Sequence, residues 1–115
     1  CARLPRIVGR GWGMEMMLMG EPIDAERALQ IGLVTRLVES ADLLEEVRRM
    51  ADHLASFAPF VPRTMKAMVH FGMEASMAGA LMFEKYAQGA LVQTEDKEEG
   101  ITAFLDKRKP EFKGR

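Results

Sequence analysis

Glycine and proline punctuate this chain of 115 residues at helix-length intervals: Gly9, Gly20 with Pro22 close behind, Gly32, Pro59 with Pro62, Gly72 and Pro110. Glycine in a left-handed conformation closes a helix, and proline cannot carry one on. A chain cut this way folds into a string of short elements. Residues 2–8 read as a short helical turn closed by Gly9, and residues 11–19 as a helix closed by Gly20. Asp24 fits the N-cap of a helix over 25–31, which ends at Gly32. Leu33-Val34-Thr35-Arg36-Leu37-Val38 is rich in β-branched residues and partly alternating, and it is expected to form the one strand.

Beyond it, Ser40 or Asp42 caps the next helix, and Asp42-x-x-Glu45 matches a capping box. Leu43, Val47, Met50, Leu54 and Phe57 recur at spacings of four, three, four and three, the clearest amphipathic stripe in the chain. Pro62 suits the first turn of a helix that runs to Phe71 and is ended by Gly72. A helix over 76–92 carries Met77, Ala80, Leu81, Phe83, Ala87 and Leu91 on its apolar positions. Its Gly79 and Gly89 each cost about 1 kcal/mol relative to alanine unless another element approaches closely there. Thr94 caps the last helix, over 95–109, which stops before Pro110. The fold class expected is mainly α, with about six helices and one short strand.

Charge and composition narrow the function. Sixteen Lys and Arg against seventeen Asp and Glu leave a net charge of −1, so no broad cationic surface for nucleic acid is expected. Apolar residues make up 48%, as in a globular chain. No apolar run approaches the ~18 residues of a membrane span, and the start lacks a signal-peptide pattern, so no membrane partner is expected. The single cysteine, Cys1, has no internal disulfide partner, which suits the reducing cytoplasm. The chain begins at Cys1 rather than methionine and is read as the tail of a longer protein. A small domain buries roughly two thirds of its unfolded surface, which leaves room for a partner to complete the core.

No catalytic residue and no metal site are assigned. His53 and His70 stand on different helices with no ligand at metal spacing nearby, and are read as helix-face residues. No phosphate loop, dinucleotide fingerprint, zinc-helix motif or nucleophile elbow is present. Gly9-Arg10-Gly11-Trp12-Gly13 lacks the preceding strand and the Lys-Ser/Thr of a phosphate cradle. Glu45–Glu46 and Glu98–Glu99 are adjacent, and adjacent helical side chains diverge by about 100°, so they read as solvated faces. The thioethers of Met14, Met16, Met17 and Met19 could bind soft copper. Flexible packing filler on a buried surface is the stronger reading. Lys107-Arg108-Lys109 admits two readings, neutralising a phosphate or compensating the helix dipole. The last helix is acidic over 95–106 and basic over 107–115, which suits the dipole reading.

The order of several blocks resembles a known family. Arg3-Leu4-Pro5-Arg6-Ile7-Val8-Gly9 is followed by Met14-Glu15-Met16, by Leu18-Met19-Gly20-Glu21-Pro22-Ile23-Asp24-Ala25 and by Ala28-Leu29-Gln30-Ile31-Gly32-Leu33-Val34. Near the end stand Thr94-Glu95-Asp96, Glu99-Gly100, Ala103-Phe104-Leu105, Lys107-Arg108-Lys109-Pro110 and Phe112. Together they are similar to the carboxy-terminal half of the crotonase superfamily, the enoyl-CoA hydratase/isomerase enzymes. The resemblance implies an α/β fold of repeated ββα turns followed by a helical region that builds homotrimers, often paired into hexamers. In this chain, residues 1–57 would be the end of the crotonase core and 58–115 the helical oligomerisation region.

The resemblance further implies an acyl-CoA thioester as substrate, with coenzyme A part of that substrate and no separate cofactor. Such enzymes hydrate or isomerise an enoyl-CoA through an enolate held in an oxyanion hole. The glutamates and oxyanion-hole segments of the family would lie upstream of Cys1. Lys107 matches a basic position that approaches the CoA phosphates, and Arg108 and Lys109 are weaker matches. Where the family often carries aromatics near the CoA, this chain has Gln88 and Val92. Cys1-Ala2 and Trp12 also depart from the commonest family residues, with local packing as their account. The alternative is a non-catalytic helical self-association module.

Overall fold

Helix starts leave orphan backbone N–H groups, and side-chain oxygens take these over at three of the starts in this chain. The structure, a computed structural model, describes residues 1–115 and contains six helices: α1 Leu4–Met19, α2 Ala25–Gln30, α3 Leu43–Ala55, α4 Phe60–Glu74, α5 Met77–Val92 and α6 Glu95–Leu105. Asp24 accepts from the Arg27 N–H at 2.7 Å, Ser76 from Gly79 at 3.2 Å and Thr94 from Lys97 at 3.2 Å, so three helices start on oxygen-bearing N-caps. Two compact units result, Cys1–Glu46 and Val47–Arg115.

In the first unit, α1 is two helical pieces joined at Gly9, whose φ of 81° and ψ of 162° leave the helical region. The break lets Pro5 lie against Gly13, where an added Cβ would stand 2.9 Å from the proline Cα. α1 closes on Gly20, at φ 67°. α2 closes on Gly32, at φ 74°. There the Gly32 N–H donates to Leu29 O at 3.1 Å and the Leu33 N–H to Ala28 O at 2.9 Å. This is a Schellman closure with glycine at its left-handed position.

The strand expected over 33–38 does not form. The N–H groups of Leu33 and Val34 both go to Ala28 O, and the segment continues without regular structure. A strand needs a ladder partner, and this chain holds no second strand to supply one. Arg36 instead pairs with Glu46 at 2.5 Å.

In the second unit, α4 and α5 pack on each other through the short connection at Ala75 and Ser76, with the Phe71 and Phe83 rings 4.8 Å apart. Gly72 does not end α4, which continues to Glu74. A Cβ at Gly72 would stand 3.7 Å from Ala80 of α5, so this glycine is where the two helices approach. Gly89 has open space around it and is carried inside α5 with no such role.

Little of the apolar surface is covered. The buried apolar residues are Val8, Ala28, Ala58, Ala87 and Ala103, and no large side chain is fully buried. The α3 stripe forms as the spacing predicts, yet Leu43, Val47, Met50, Leu54 and Phe57 are all exposed. Met14, Met17 and Met19 are exposed too. Helices expose continuous apolar faces only when something else covers them. The 115-residue chain by itself is therefore expected to self-associate or to melt without cooperativity. Light scattering and thermal circular dichroism check this, and a monodisperse monomer with a sharp melt overturns it. In the whole protein, Gly13→Ala is expected to destabilise by about 1–3 kcal/mol through its clash with Pro5. Gly11→Ala, which meets nothing within 4 Å, should not. Paired melts decide, and a Gly13→Ala protein as stable as Gly11→Ala contradicts the close approach.

Candidate functional site

The three cations at 107–109 follow α6 rather than extend it. The helix expected to reach Lys109 ends at Leu105, with Asp106 as its C-cap. The Lys107 N–H donates to Phe104 O at 3.3 Å and the Arg108 N–H to Ala103 O at 3.0 Å. This is the same Schellman closure that ends α2, and it requires a left-handed residue. α2 places Gly32 there, whereas α6 places Lys107 there, at φ 54°. Lys107 is the only non-glycine residue of the chain with positive φ. A side chain in that conformation costs about 1–2 kcal/mol that glycine avoids.

The neighbouring cations have different surroundings. Arg108 makes a two-pronged pair with Glu99, Nη1 to Oε1 at 2.7 Å and Nη2 to Oε2 at 3.0 Å. Its Nη1 also reaches Lys109 O at 3.3 Å, and its Nε lies 3.6 Å from Asp106 Oδ2. Both terminal nitrogens of Arg108 are thus committed within the chain. Lys107 is exposed, and no hydrogen bond or ion pair holds its ammonium. Lys109 is exposed and equally unpaired. Of the sequence-predicted cations, Lys107 remains available to an outside anion and Arg108 does not.

An acidic face of α6 holds the tail that follows. Glu99 Oε1 accepts from the Glu111 N–H at 2.7 Å in addition to Arg108. Asp96 is 3% exposed and accepts from the N–H groups of Lys113 at 2.6 Å and Gly114 at 2.8 Å. The Asp96 N–H in turn donates to Arg115 O at 3.1 Å. A buried carboxylate is tolerated only when hydrogen-bonded in this way, and the first turn of α6 adds its dipole. The Phe112 ring packs beside Gly100, 3.6 Å from where a Cβ there would stand, which is ordinary van der Waals contact. Phe112 also lines a cavity of about 310 Å³ with Phe57, Phe60, Val61 and Leu91.

Sequence reasoning looked at Glu98 and Glu99 as neighbours and missed this clamp. The two do diverge, Glu98 pairing with Lys97 at 2.6 Å and Glu99 turning to the tail. The informative pair is Asp96 and Glu99, three apart and on one helix face. Elsewhere, His53 meets Phe57 edge-on at 5.0 Å, and no group of three His, Cys, Asp or Glu stands ready for a metal. Arg27 lies over the Trp12 ring at 5.2 Å, a local contact that accounts for the tryptophan. Gln88 donates to Glu84 at 3.1 Å, and Val92 is exposed.

The hydrogen bonds from Arg108, then the one from Glu111, hold the Glu99 carboxyl down to about 2 from its ordinary 4.5. Arg108 is raised in return, chiefly by Glu99, and stays charged. A depressed carboxyl contributes stability above its unfolded value and loses it as pH falls through the folded one. The contribution of Glu99 is therefore complete above about 4.5 and fades toward about 2. Hydrogen exchange should show the protection of the Glu111 amide, relative to its intrinsic rate, falling across that window. Glu99→Gln should weaken that protection at neutral pH. Protection that is flat across the window, or unchanged in the variant, contradicts the clamp.

Comparison with known proteins places the chain. The profile of the family described as Enoyl-CoA hydratase/isomerase matches residues 1–115. The crotonyl-CoA hydratase of Syntrophomonas wolfei is 38% identical over 110 residues, covering 96% of this chain and 42% of its own length. The short-chain-enoyl-CoA hydratase of Clostridium acetobutylicum is 38% identical over 114 residues, covering 98% and 44%. The crystal structure of the enoyl-CoA hydratase from Bacillus anthracis superposes with a TM-score of 0.96 at 34% identity, over 99% of this chain and 44% of that one. The chain thus spans less than half the length of the curated relatives it matches. With its whole length inside the family profile and its helices laid out as in a solved member, the chain belongs to the enoyl-CoA hydratase/isomerase family.

Proposed function

We propose that these residues are the carboxy-terminal part of an acyl-CoA enzyme of the enoyl-CoA hydratase/isomerase type. The observation that carries this reading is the family match along all 115 residues. The enzyme hydrates or isomerises an enoyl-CoA thioester, with an oxyanion hole of backbone N–H groups stabilising the enolate. That hole and the acid/base glutamates lie outside these residues. Coenzyme A arrives as part of the substrate, and no separate cofactor is involved. The working form is a cytoplasmic homotrimer or hexamer in fatty acid metabolism. The uncovered stripe on α3 supports a surface that needs a partner.

Within this chain the contribution to chemistry is binding. Lys107 presents an unpaired ammonium to a CoA phosphate from the turn after α6. Backbone strain persists where a particular side chain is needed, and a lysine in a glycine position is strain of that kind. The phosphates are remote from the reacting carbons, so this contact stabilises bound substrate and transition state alike. A second reading, a non-catalytic helical self-association module, draws on the same uncovered faces. The coding sequence upstream of Cys1 separates the two. A ββα pattern carrying glutamates favours the enzyme, and an unrelated domain or a start codon favours the module.

Two measurements test the enzyme reading. The 115-residue chain alone should not hydrate crotonyl-CoA, and measurable turnover by it contradicts the division of labour. In the whole enzyme, Lys107→Ala should raise KM for crotonyl-CoA roughly five- to thirty-fold, with a smaller change in kcat. The effect should shrink as salt rises, and vanish for a short thioester lacking the nucleotide. Lys107→Gly should lose binding equally yet melt higher than Lys107→Ala, because it also relieves the left-handed strain. An unchanged KM at low salt makes Lys107 a helix-end cation only.

A further inference from the structure

A lysine ammonium carries no preferred geometry of its own, so its aim is set by its backbone. At Lys107 that backbone is strained, because right-handed helical backbone costs less for any residue with a side chain. What opposes the right-handed conformation is the residue that follows. The Arg108 N–H is tied to Ala103 O, and its guanidinium is tied to Glu99, one helical turn before Ala103. Continuing the helix through residue 107 would carry Arg108 off that carboxylate. The same carboxylate holds the Glu111 N–H at 2.7 Å, so the chain is anchored on the far side of Lys107 as well. Glu99 thus receives three hydrogen bonds from the segment just past the strained lysine.

Arg108 itself is unsuited to the anion. A phosphate would have to displace a two-pronged carboxylate whose geometry matches the guanidinium fork. We propose that Glu99, acting through Arg108, is the positioning residue that holds the left-handed Lys107 turn so that its ammonium meets the CoA phosphate. The inference rests on the reading that Lys107 makes that contact. Neither Glu99 nor Arg108 touches substrate in this arrangement, and the effect of each is transmitted through Lys107.

A double-mutant cycle on the whole enzyme tests this, with crotonyl-CoA at low salt and with KM, kcat and melting temperature all read. Glu99→Gln should raise KM about three- to tenfold, with kcat within about twofold of the parent. In the Lys107→Ala background the same substitution should add no more than about 1.5-fold, because the group it positions is gone. Arg108→Lys, which keeps the charge and loses the fork, should repeat the pattern and guards against a single variant that misfolds. If Glu99→Gln and Arg108→Lys raise KM equally with and without Lys107, they act on their own and the proposal is overturned. If both leave KM unchanged while Lys107→Ala raises it, the turn holds itself and the proposal is overturned while the Lys107 reading stands. If Lys107→Ala leaves KM unchanged, the Lys107 reading fails and the positioning role falls with it. Failure of both variants to fold assigns Glu99 to structure alone.

Discussion

Two carboxylates on one face of α6 hold everything that follows that helix. Residues 106–115 have no helix or strand of their own, so their backbone groups must find partners elsewhere. Asp96 takes the N–H groups of Lys113 and Gly114, and Glu99 takes that of Glu111 together with the Arg108 guanidinium. Asp96 sits in the first turn of the helix, where the dipole favours it. The Arg108 guanidinium and the backbone N–H groups that the two carboxylates hold arrive from beyond the far end of the helix. The charge polarity visible along 95–115 is therefore more than dipole compensation, because part of it closes on itself as a clamp.

That clamp sorts three neighbouring cations by task. Arg108, with its planar fork, is the one that can hold a carboxylate with two parallel bonds, and it is spent inside the chain. Lys107 occupies a left-handed position for which α2, ending in the same motif, uses Gly32. One chain thus provides its own comparison: the same hydrogen-bond closure, with glycine in one case and a strained lysine in the other. At Lys107 the chain accepts a backbone strain that it avoids with glycine at the end of α2.

The rest of the structure is governed by what it leaves uncovered. Its buried apolar residues are a valine and four alanines, while the large side chains of the α3 stripe and the methionines of α1 stand exposed. Helical periodicity identifies such a face without saying what lies against it. The relatives extend well beyond the stretch that this chain matches, and a solved member lays out the matched stretch in the same way. Exposed stripes of this length make sense as surfaces for further protein.

Local chemistry was legible from residue order alone. Asp24 and Thr94 cap the helices they precede, Gly20 and Gly32 close those they follow, and the family blocks stand in their proper order. Each of these depends on contacts within a few residues, which spacing describes completely. Where the outcome depended on a distant partner, spacing misled. The β-branched run at 33–38 had no strand to pair with, and its first N–H groups went to the end of α2. Gly72 served as a contact point for Ala80 instead of a terminator. Proline at 110 suggested a helix running to 109, but the Schellman closure stopped it at Leu105. Sequence by itself determined the caps at Asp24 and Thr94, the closures at Gly20 and Gly32, and the family the chain belongs to. Only the tertiary structure decided which of the three cations is committed inside the chain, because that depends on where the chain returns to α6. Arg108 and Glu99 lie beyond the spacing at which neighbours on one helix meet, and the chain turns at the left-handed Lys107 before their charges come together.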